Sequence, residues 1–281
     1  MSMETAQQGA GEAAMLAAMA RLEAQLIDYP RLAVALSGGV DSMTLAAVAY
    51  RVLGDKLMLV HAVSPAVPLE ASDRVREHSQ RLGWPLTIVD AGEFSDERYR
   101  NNPVNRCYYC KTNLYTRLRQ VWDGPVASGA NLDDLGDYRP GLLAASEKAV
   151  VHPLVEAAID KQMVRAIARH LQLDDVAELP AQPCLSSRVE TGLVINATDL
   201  LFVHRIERYL TEMLGPGDVR CRITAAGVRI EVPEDIRELH SDQWSAVCVE
   251  LEQRIANDGR SFAGYDSYRR GSAFVHKPGD L

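Results

Sequence analysis

The chain contains no apolar run near the roughly 20 residues that a membrane-crossing helix needs, which removes an integral helical membrane protein from consideration. It opens Met1-Ser2-Met3-Glu4, without the basic start and apolar core of a secretion signal, so the expected location is the cytoplasm. Cysteine is scarce and odd in number, at Cys107, Cys110, Cys184, Cys221 and Cys248. An odd set in a chain without an export signal does not form a disulfide framework. The thiols are therefore free for metal or sulfur chemistry. Positive charge is short as well. Lysine and arginine number 30 against 38 aspartates and glutamates, a formal net charge of -8. That balance argues against a nucleic-acid coat or a membrane-surface protein and leaves open a local basic groove. No long repeat or low-complexity tract interrupts the 281 residues, and 47% hydrophobic content supports a large core in one or two domains.

What is present reads as strands alternating with helices. Residues 11–28 carry Ala, Leu and Met at helical spacing, so an amphipathic helix is expected there. The run Leu32-Ala33-Val34-Ala35-Leu36 ends directly in Ser-Gly-Gly, as a buried parallel strand entering a tight turn does. Further helices are expected over 43–53, 71–82 and 110–122, and further strands over 57–63, 85–90, 125–128 and 149–154. Units of ~30 residues alternating in this way imply a parallel sheet with helices on both faces. Ligands of such sheets sit at the carboxyl ends of the strands. Three segments fall there: the glycine loop after Leu36, His61-Ala62-Val63-Ser64, and Gly129-Ala130-Asn131. Beyond residue 190 the pattern changes to a helix over 197–214, alternating strands over 218–223 and 227–232, and a helix over 242–257. The fold class is α/β, with a main domain over 1–185 and a smaller C-terminal α+β domain over 186–281.

The string Ser37-Gly38-Gly39-Val40-Asp41-Ser42 carries chemistry. Glycines after a strand let backbone amides approach phosphate oxygens, and the following helix N-terminus adds its dipole. A GxxxxGK[ST] loop would hold phosphates with its lysine. This loop has no lysine. It offers two serine hydroxyls for a pyrophosphate and Asp41 for Mg²⁺. An ordinary turn with a capping aspartate would explain the two glycines, but not the whole string at the first strand-to-helix junction.

A second segment is Cys107-Tyr108-Tyr109-Cys110-Lys111, with Cys184 downstream in Pro183-Cys184-Leu185-Ser186-Ser187-Arg188. A C-x-x-C pair can grip one metal or cluster. Three thiolates are too few for a closed Cys₄ zinc site and fit a [4Fe–4S] cluster with one iron left open. Two other readings stay open: a zinc or redox pair at Cys107 and Cys110, and two helix-start cysteines unrelated to Cys184.

The phosphate loop resembles that of the N-type ATP pyrophosphatases (PP-loop enzymes), which include GMP synthetase, NAD synthetase, argininosuccinate synthetase and tRNA thiolation enzymes. Other matching segments are Asn102–Lys111, Gly129–Asp134, Arg139-Pro140-Gly141, Pro153-Leu154 with Lys161 and Arg165, and Pro183–Arg188. Gly264-Tyr265 to Gly271-Ser272 fits in part. Together they resemble the LarE family, ATP-dependent sulfur transferases of nickel-pincer nucleotide biosynthesis, over most of the chain. The resemblance implies an adenine nucleotide alpha hydrolase-like sheet and cleavage of ATP between its α- and β-phosphates. It implies adenylation of a carboxylate of pyridinium-3,5-biscarboxylic acid mononucleotide, then replacement of oxygen by sulfur. In one family variant a single cysteine at the position of Cys184 gives up its sulfur and becomes dehydroalanine. In the other, three cysteines hold a [4Fe–4S] cluster that relays sulfide. With all three cysteines present, this chain resembles the cluster variant.

By the same resemblance, ATP meets Ser37, Gly38, Gly39, Asp41, Ser42, Val63, Lys111 and Gly129, with Asp41 also holding Mg²⁺. Cys107, Cys110, Cys184 and Asp41 are the catalytic set. The implied partners are a small-molecule nucleotide, a sulfide donor and a downstream nickel-insertion protein, and the family forms homo-oligomers, as hexamers. Neither a membrane nor nucleic acid is expected as a partner.

Arg220 and Arg222 lie two apart on a strand, so both point to one face. They match the family's substrate-phosphate segment, although solvated strand arginines would look the same. Cys221 then faces a core. Arg188, beside the Cys184 turn, is the better-placed anion ligand, and Glu231 reads as structural. Asp133 and Asp134 read as magnesium helpers or helix caps, with the cap favoured for one of the two, and His61 as a packing residue near adenine. Tyr108 and Tyr109 read as a shield, Trp84, Trp122 and Trp244 as core or interface, and Cys248 as an inert buried thiol. Competing activities are a tRNA thiolase of the same superfamily, against which the acidic balance counts, and an ammonia-dependent amidating enzyme, which leaves the cysteines without a role. A nucleotide- or cluster-binding sensor is the non-enzymatic alternative.

Overall fold

The computed structural model describes residues 3–136 and 140–268. Arg139, and Gly271 and Ser272 of the C-terminal segment, lie outside the described residues. In chain order the elements are α1 (Met3–Ile27), β1 (Leu32–Ala35), α2 (Val40–Leu53), β2 (Leu57–Val63), α3 (Leu69–Leu82), β3 (Leu86–Asp90), α4 (Glu97–Arg100) and α5 (Arg106–Val121). They continue with β4 (Val126–Ala127), α6 (Pro140–Glu147), β5 (Val150–Val151), α7 (Pro153–Glu156), α8 (Lys161–His170) and α9 (Asp174–Ala177). The last are α10 (Ala197–Leu214), β6 (Arg220–Thr224), β7 (Gly227–Glu231), α11 (Glu234–Leu239), α12 (Ser241–Asn257) and β8 (Phe262–Asp266). The chain forms two compact units. The first takes Met1–Ser64, Leu69–Glu93 and Cys107–Gln182; the second takes Pro65–Pro68, Phe94–Arg106 and Pro183–Leu281. Among the described residues no helix is long and apolar enough to cross a membrane.

The first unit is built on a five-stranded parallel sheet in the order β3-β2-β1-β4-β5. The chain lays β2 and β3 to one side of β1 and β4 and β5 to the other. The carboxyl ends of β1 and β4 are therefore neighbours at the point where the strand order reverses, which is where ligands of such sheets bind. Successive strand residues point to opposite faces. Leu32, Val34, Leu57, Leu59 and Ala127 join a core with Leu22 and Leu26 of α1, Met43 and Val48 of α2, and Ile167 of α8. Ala33, Val60, Val126 and Val150 join a second core with Leu114, Tyr115 and Leu118 of α5 and Ala145 of α6. Helices thus cover both faces of the parallel sheet, as the alternating pattern implied.

Several boundaries differ from expectation, and three of them bear on the candidate site. The fifth strand stops at Val151, because Pro153 has no N–H to give a ladder and instead occupies the first turn of α7. Helix α2 begins at Val40, directly after the glycines. Helix α5 begins at Arg106, so Cys107 and Cys110 both lie within it.

In the second unit β6 and β7 form the expected antiparallel hairpin, with Cys221 opposite Ile230, and β8 adds in parallel to β7. Phe202, Ile206 and Leu210 of α10 are buried, as are Val247, Leu251 and Ile255 of α12 and Cys221 and Ile230 of the sheet. The segment 94–106 is stitched into this unit by Asn102, whose backbone is left-handed (φ 52). Its Nδ2 donates to the carbonyls of Val189 (3.2 Å) and Glu190 (2.8 Å), and its carbonyl accepts from the Gly192 N–H (2.9 Å).

Leu59 is fully buried in the α1–α2–α8 core. Leu59→Ala is expected to lower unfolding free energy by about 2–5 kcal/mol, the range for such a truncation, read as a fall in the denaturant midpoint with an unchanged slope.

Candidate phosphate-binding site

β1 delivers the chain into Ser37–Gly39, and α2 starts at once. Gly38 has a left-handed backbone (φ 82), and a β carbon there would lie 2.6 Å from the Ala71 carbonyl oxygen. Glycine is required on both grounds. Gly39 is the N-cap of α2, extended (φ -84, ψ 162) and without a side-chain cap. The first amides of the helix therefore keep their donors and the positive end of the dipole for an anion. Ser42 folds back to brace the loop. Its Oγ accepts from the Ser37 N–H (3.0 Å), lies 2.9 Å from Ser37 Oγ and donates to the Gly39 carbonyl (3.2 Å).

The segment after β4 closes on this loop. A β carbon on Gly129 would lie 2.7 Å from the Ser42 nitrogen, so only glycine lets the two backbones approach this closely. Two residues on, buried Asn131 donates from Nδ2 to Asp41 Oδ1 (3.0 Å). Lys161 Nζ, at the start of α8, donates to Asp41 Oδ2 (2.6 Å). Each carboxylate oxygen of Asp41 thus has its own donor. Asn131 is held in turn: its N–H donates to Asp134 Oδ2 (3.1 Å), and its Oδ1 accepts from the Asp133 N–H (2.9 Å). Asp133 Oδ2 accepts from the Lys161 N–H (3.2 Å). Asp133 and Asp134 therefore brace Asn131 and Lys161. Neither brace was assigned from sequence, where Lys161 entered only as part of a motif.

His61 is buried, as expected of a packing residue. Its Nδ1 lies 2.8 Å from the Leu36 carbonyl and its Nε2 lies 2.9 Å from Ser72 Oγ. A carbonyl accepts only, so Nδ1 carries the proton and Nε2 accepts from the serine hydroxyl. Burial lowers the imidazole pKa, the Leu36 carbonyl opposes this, and Arg76 adds to it. His61 is a neutral strut joining the exit of β1 to β2 and α3. Val63 closes β2 half-buried, in register with Asp90.

Cys107 and Cys110 are three apart on α5, hence on one face, half-buried and free of disulfides. Lys111 packs against α6: a β carbon on Gly141 would lie 3.0 Å from its Cγ. In the second unit, Cys184 is exposed at the N-cap of the short turn Leu185–Arg188. Among the described residues no group of three His, Cys, Asp or Glu is arranged to hold a metal ion.

Arg188 corrects an expectation. It is buried, with Nε and Nη2 on Glu207 (3.0 and 2.9 Å) and Nη1 donating to the carbonyls of Pro183 (2.8 Å) and Cys184 (3.3 Å). Its fork is filled by a carboxylate of α10 and by the turn that carries Cys184, so it shapes that turn where an anion contact was expected. Arg222 is likewise paired with Glu231 (2.9 Å) and donates to the Ser187 carbonyl (2.9 Å), which bears out a structural Glu231. Arg220 pairs with half-exposed Asp218 (2.9 Å) and lies 5.0 Å from the centre of the Tyr268 ring. Between them Cys221 is fully buried, and burial pushes its thiol pKa well up. Cys248 is half-buried, not buried, because its place on α12 is at the margin of the core.

No family model matches the chain. An uncharacterized protein of Synechocystis sp. is 41% identical over 244 residues, 85% of this chain and 89% of its own length. The pyridinium-3,5-bisthiocarboxylic acid mononucleotide synthase of Lactiplantibacillus plantarum is 34% identical over 220 residues, 76% of this chain and 79% of its own length. The chain belongs to the LarE family. A shorter likeness, 38% identity over 63 residues, links this LarE-family chain to the GMP synthase of Aquifex aeolicus, covering 22% of the chain and 12% of that enzyme.

The neutral His61 gives this LarE-family protein a pH dependence of defined sign. Its folded pKa lies below the ordinary value of about 6.5, so the stability it contributes is complete above that pH and declines as pH falls toward the depressed value. Denaturant melts across that range should lose stability more steeply for the wild type than for His61→Gln. Parallel curves would exclude His61 as the cause.

Proposed function

We propose that the protein is an ATP-dependent sulfur transferase acting on pyridinium-3,5-biscarboxylic acid mononucleotide. A substrate carboxylate oxygen attacks the α-phosphorus of ATP, the bond to the bridging oxygen breaks, and pyrophosphate leaves with its electron pair. Sulfide then attacks the acyl carbon, AMP leaves, and a thiocarboxylate remains. The observation that carries this reading is the convergence of two loops on Asp41. The uncapped start of α2 lies on one side of it, and Asn131 and Lys161 hold its two oxygens from the other. The likeness to a named synthase over most of both chains supports the substrate, and the short match to a GMP synthase supports the nucleotide half.

The amides of Val40 and Asp41 at the uncapped start of α2 and the hydroxyls of Ser37 and Ser42 suit a pyrophosphate. Lys161 supplies the positive charge that the lysine-free loop lacks. Asp41, kept oriented by Asn131, would hold Mg²⁺ together with phosphate oxygens, and charge developing on the leaving group would be met by these fixed donors. By donor chemistry the three thiols Cys107, Cys110 and Cys184, none of them in a disulfide, suit a [4Fe–4S] cluster with one iron open, which when bound would supply the transferred sulfide. Cys184 stands exposed on a turn whose carbonyls Arg188 fixes, so its thiol is accessible on a braced backbone. Of the three arginines, Arg220 is the one whose carboxylate partner is half-exposed, which makes it the reading's ligand for the substrate phosphate. The reading brings with it a cytoplasmic location, a homo-oligomer, a sulfide donor upstream and a nickel-inserting protein downstream.

Asp41→Ala should abolish pyrophosphate release. Cys184→Ala should leave ATP–pyrophosphate exchange largely intact while removing the thiocarboxylate from the product mass spectrum, under anaerobic assay with ATP, Mg²⁺ and the dicarboxylate nucleotide. Two mutants that both lose nucleotide binding alone would contradict this division of labour. Iron-free protein that turns over while Cys184 becomes dehydroalanine would refute the cluster half.

A further inference from the structure

Arg74 lies on α3, outside the phosphate loop and outside every motif described above. Its Nη1 donates to the Gly38 carbonyl (2.8 Å) and to Gln182 Oε1 (3.2 Å). Gly38 is buried and is the loop residue with left-handed backbone. Helix α3 therefore grips it twice. The Ala71 carbonyl fills the space that a side chain would take, and Arg74 binds the Gly38 carbonyl from one turn further along.

The consequence follows from the geometry of a peptide. The Gly38–Gly39 unit is planar and trans, so its C=O and N–H point to opposite sides. With the carbonyl turned to Arg74, the Gly39 N–H is turned the other way, where it meets Ser37 Oγ (3.3 Å) beside the Ser42 hydroxyl. A guanidinium on the carbonyl also polarises the peptide and makes its N–H a better donor. Burial lowers the Arg74 pKa while Asp175, Glu70 and Glu77 oppose it, and a guanidinium stays charged through such a shift.

We propose that Arg74 is a positioning residue of the phosphate loop: it fixes the Gly38–Gly39 peptide so that the loop amides face a bound polyphosphate. The inference rests on the nucleotide reading above. It places a charged brace behind the loop, in a chain whose loop has no lysine of its own.

The test compares full-length wild type, Arg74→Gln and Arg74→Lys by calorimetric titration with magnesium pyrophosphate, magnesium ATP and AMP, alongside thermal melting. Arg74→Gln is expected to weaken pyrophosphate and ATP about tenfold or more, the loss expected when a hydrogen bond from a charged donor is removed. AMP affinity and the melting temperature should stay at wild-type values, and Arg74→Lys, which keeps charge and one donor, should recover part of the pyrophosphate affinity. Equal weakening of AMP and pyrophosphate, or a matching fall in melting temperature, would show a general structural role and overturn the proposal. Unchanged pyrophosphate binding in Arg74→Gln overturns it as well, while leaving the nucleotide reading intact. A wild type that binds neither ATP nor pyrophosphate removes that reading and the inference together.

Discussion

At Gly129 the backbone leaving β4 comes so near the first turn of α2 that a single added carbon would sit 2.7 Å from the Ser42 nitrogen. The candidate site depends on this approach. It draws Asn131 to one oxygen of Asp41, and the same segment, through Asp133, holds the start of α8 so that Lys161 reaches the other. The approach exists because β1 and β4 are paired in parallel, Ala33 with Val126 and Val34 with Ala127, at the reversal of strand order. That pairing is maintained by two apolar cores, one on each face of the sheet. A carboxylate set at the mouth of a helix thus owes its orientation to packing well below it.

The loop is held from the other side by α3. Ala71 contacts Gly38, Arg74 binds its carbonyl, and Ser72 joins His61, which joins the Leu36 carbonyl. The last link works because His61 is kept neutral by burial, with its Nδ1 proton committed to a carbonyl. A rigid frame behind an uncapped helix start is the arrangement in which fixed dipoles stabilise developing charge without reorganising at the moment of reaction.

The basic residues near Cys184 show how burial changes the meaning of a charge. A buried guanidinium needs a partner, because desolvation of an unpaired charge is costly. Arg188 has Glu207 and Arg222 has Glu231. Both therefore stiffen the framework around the Cys184 turn. Arg220 is buried as well, and its guanidinium is shared between half-exposed Asp218, the Val219 carbonyl and the Tyr268 ring.

Much of this was legible in the chain itself. Strand β2 over Leu57–Val63 and helix α10 over Ala197–Leu214 match their sequence patterns residue for residue, because apolar periodicity and turn chemistry are local properties. The tight glycine turn between β1 and α2 was legible for the same reason: its glycines answer a backbone requirement that neighbouring residues impose. The start of α5 and the strand β8 were not, since Asn102–Lys111 is polar without a helical apolar period and Gly264 interrupts Phe262–Asp266 with a left-handed backbone (φ 111). Sequence by itself determined the alternating elements, the donors of the loop and the positions of Cys107, Cys110 and Cys184 along the chain. The tertiary structure alone decided which charges are spent on one another. Lys161 lies 120 residues from Asp41, Asn131 lies 90 from it, and Glu207 stands 19 from Arg188. No local pattern encodes such partners, because a hydrogen bond between distant residues exists only once the packing of sheet and helices has brought them within reach.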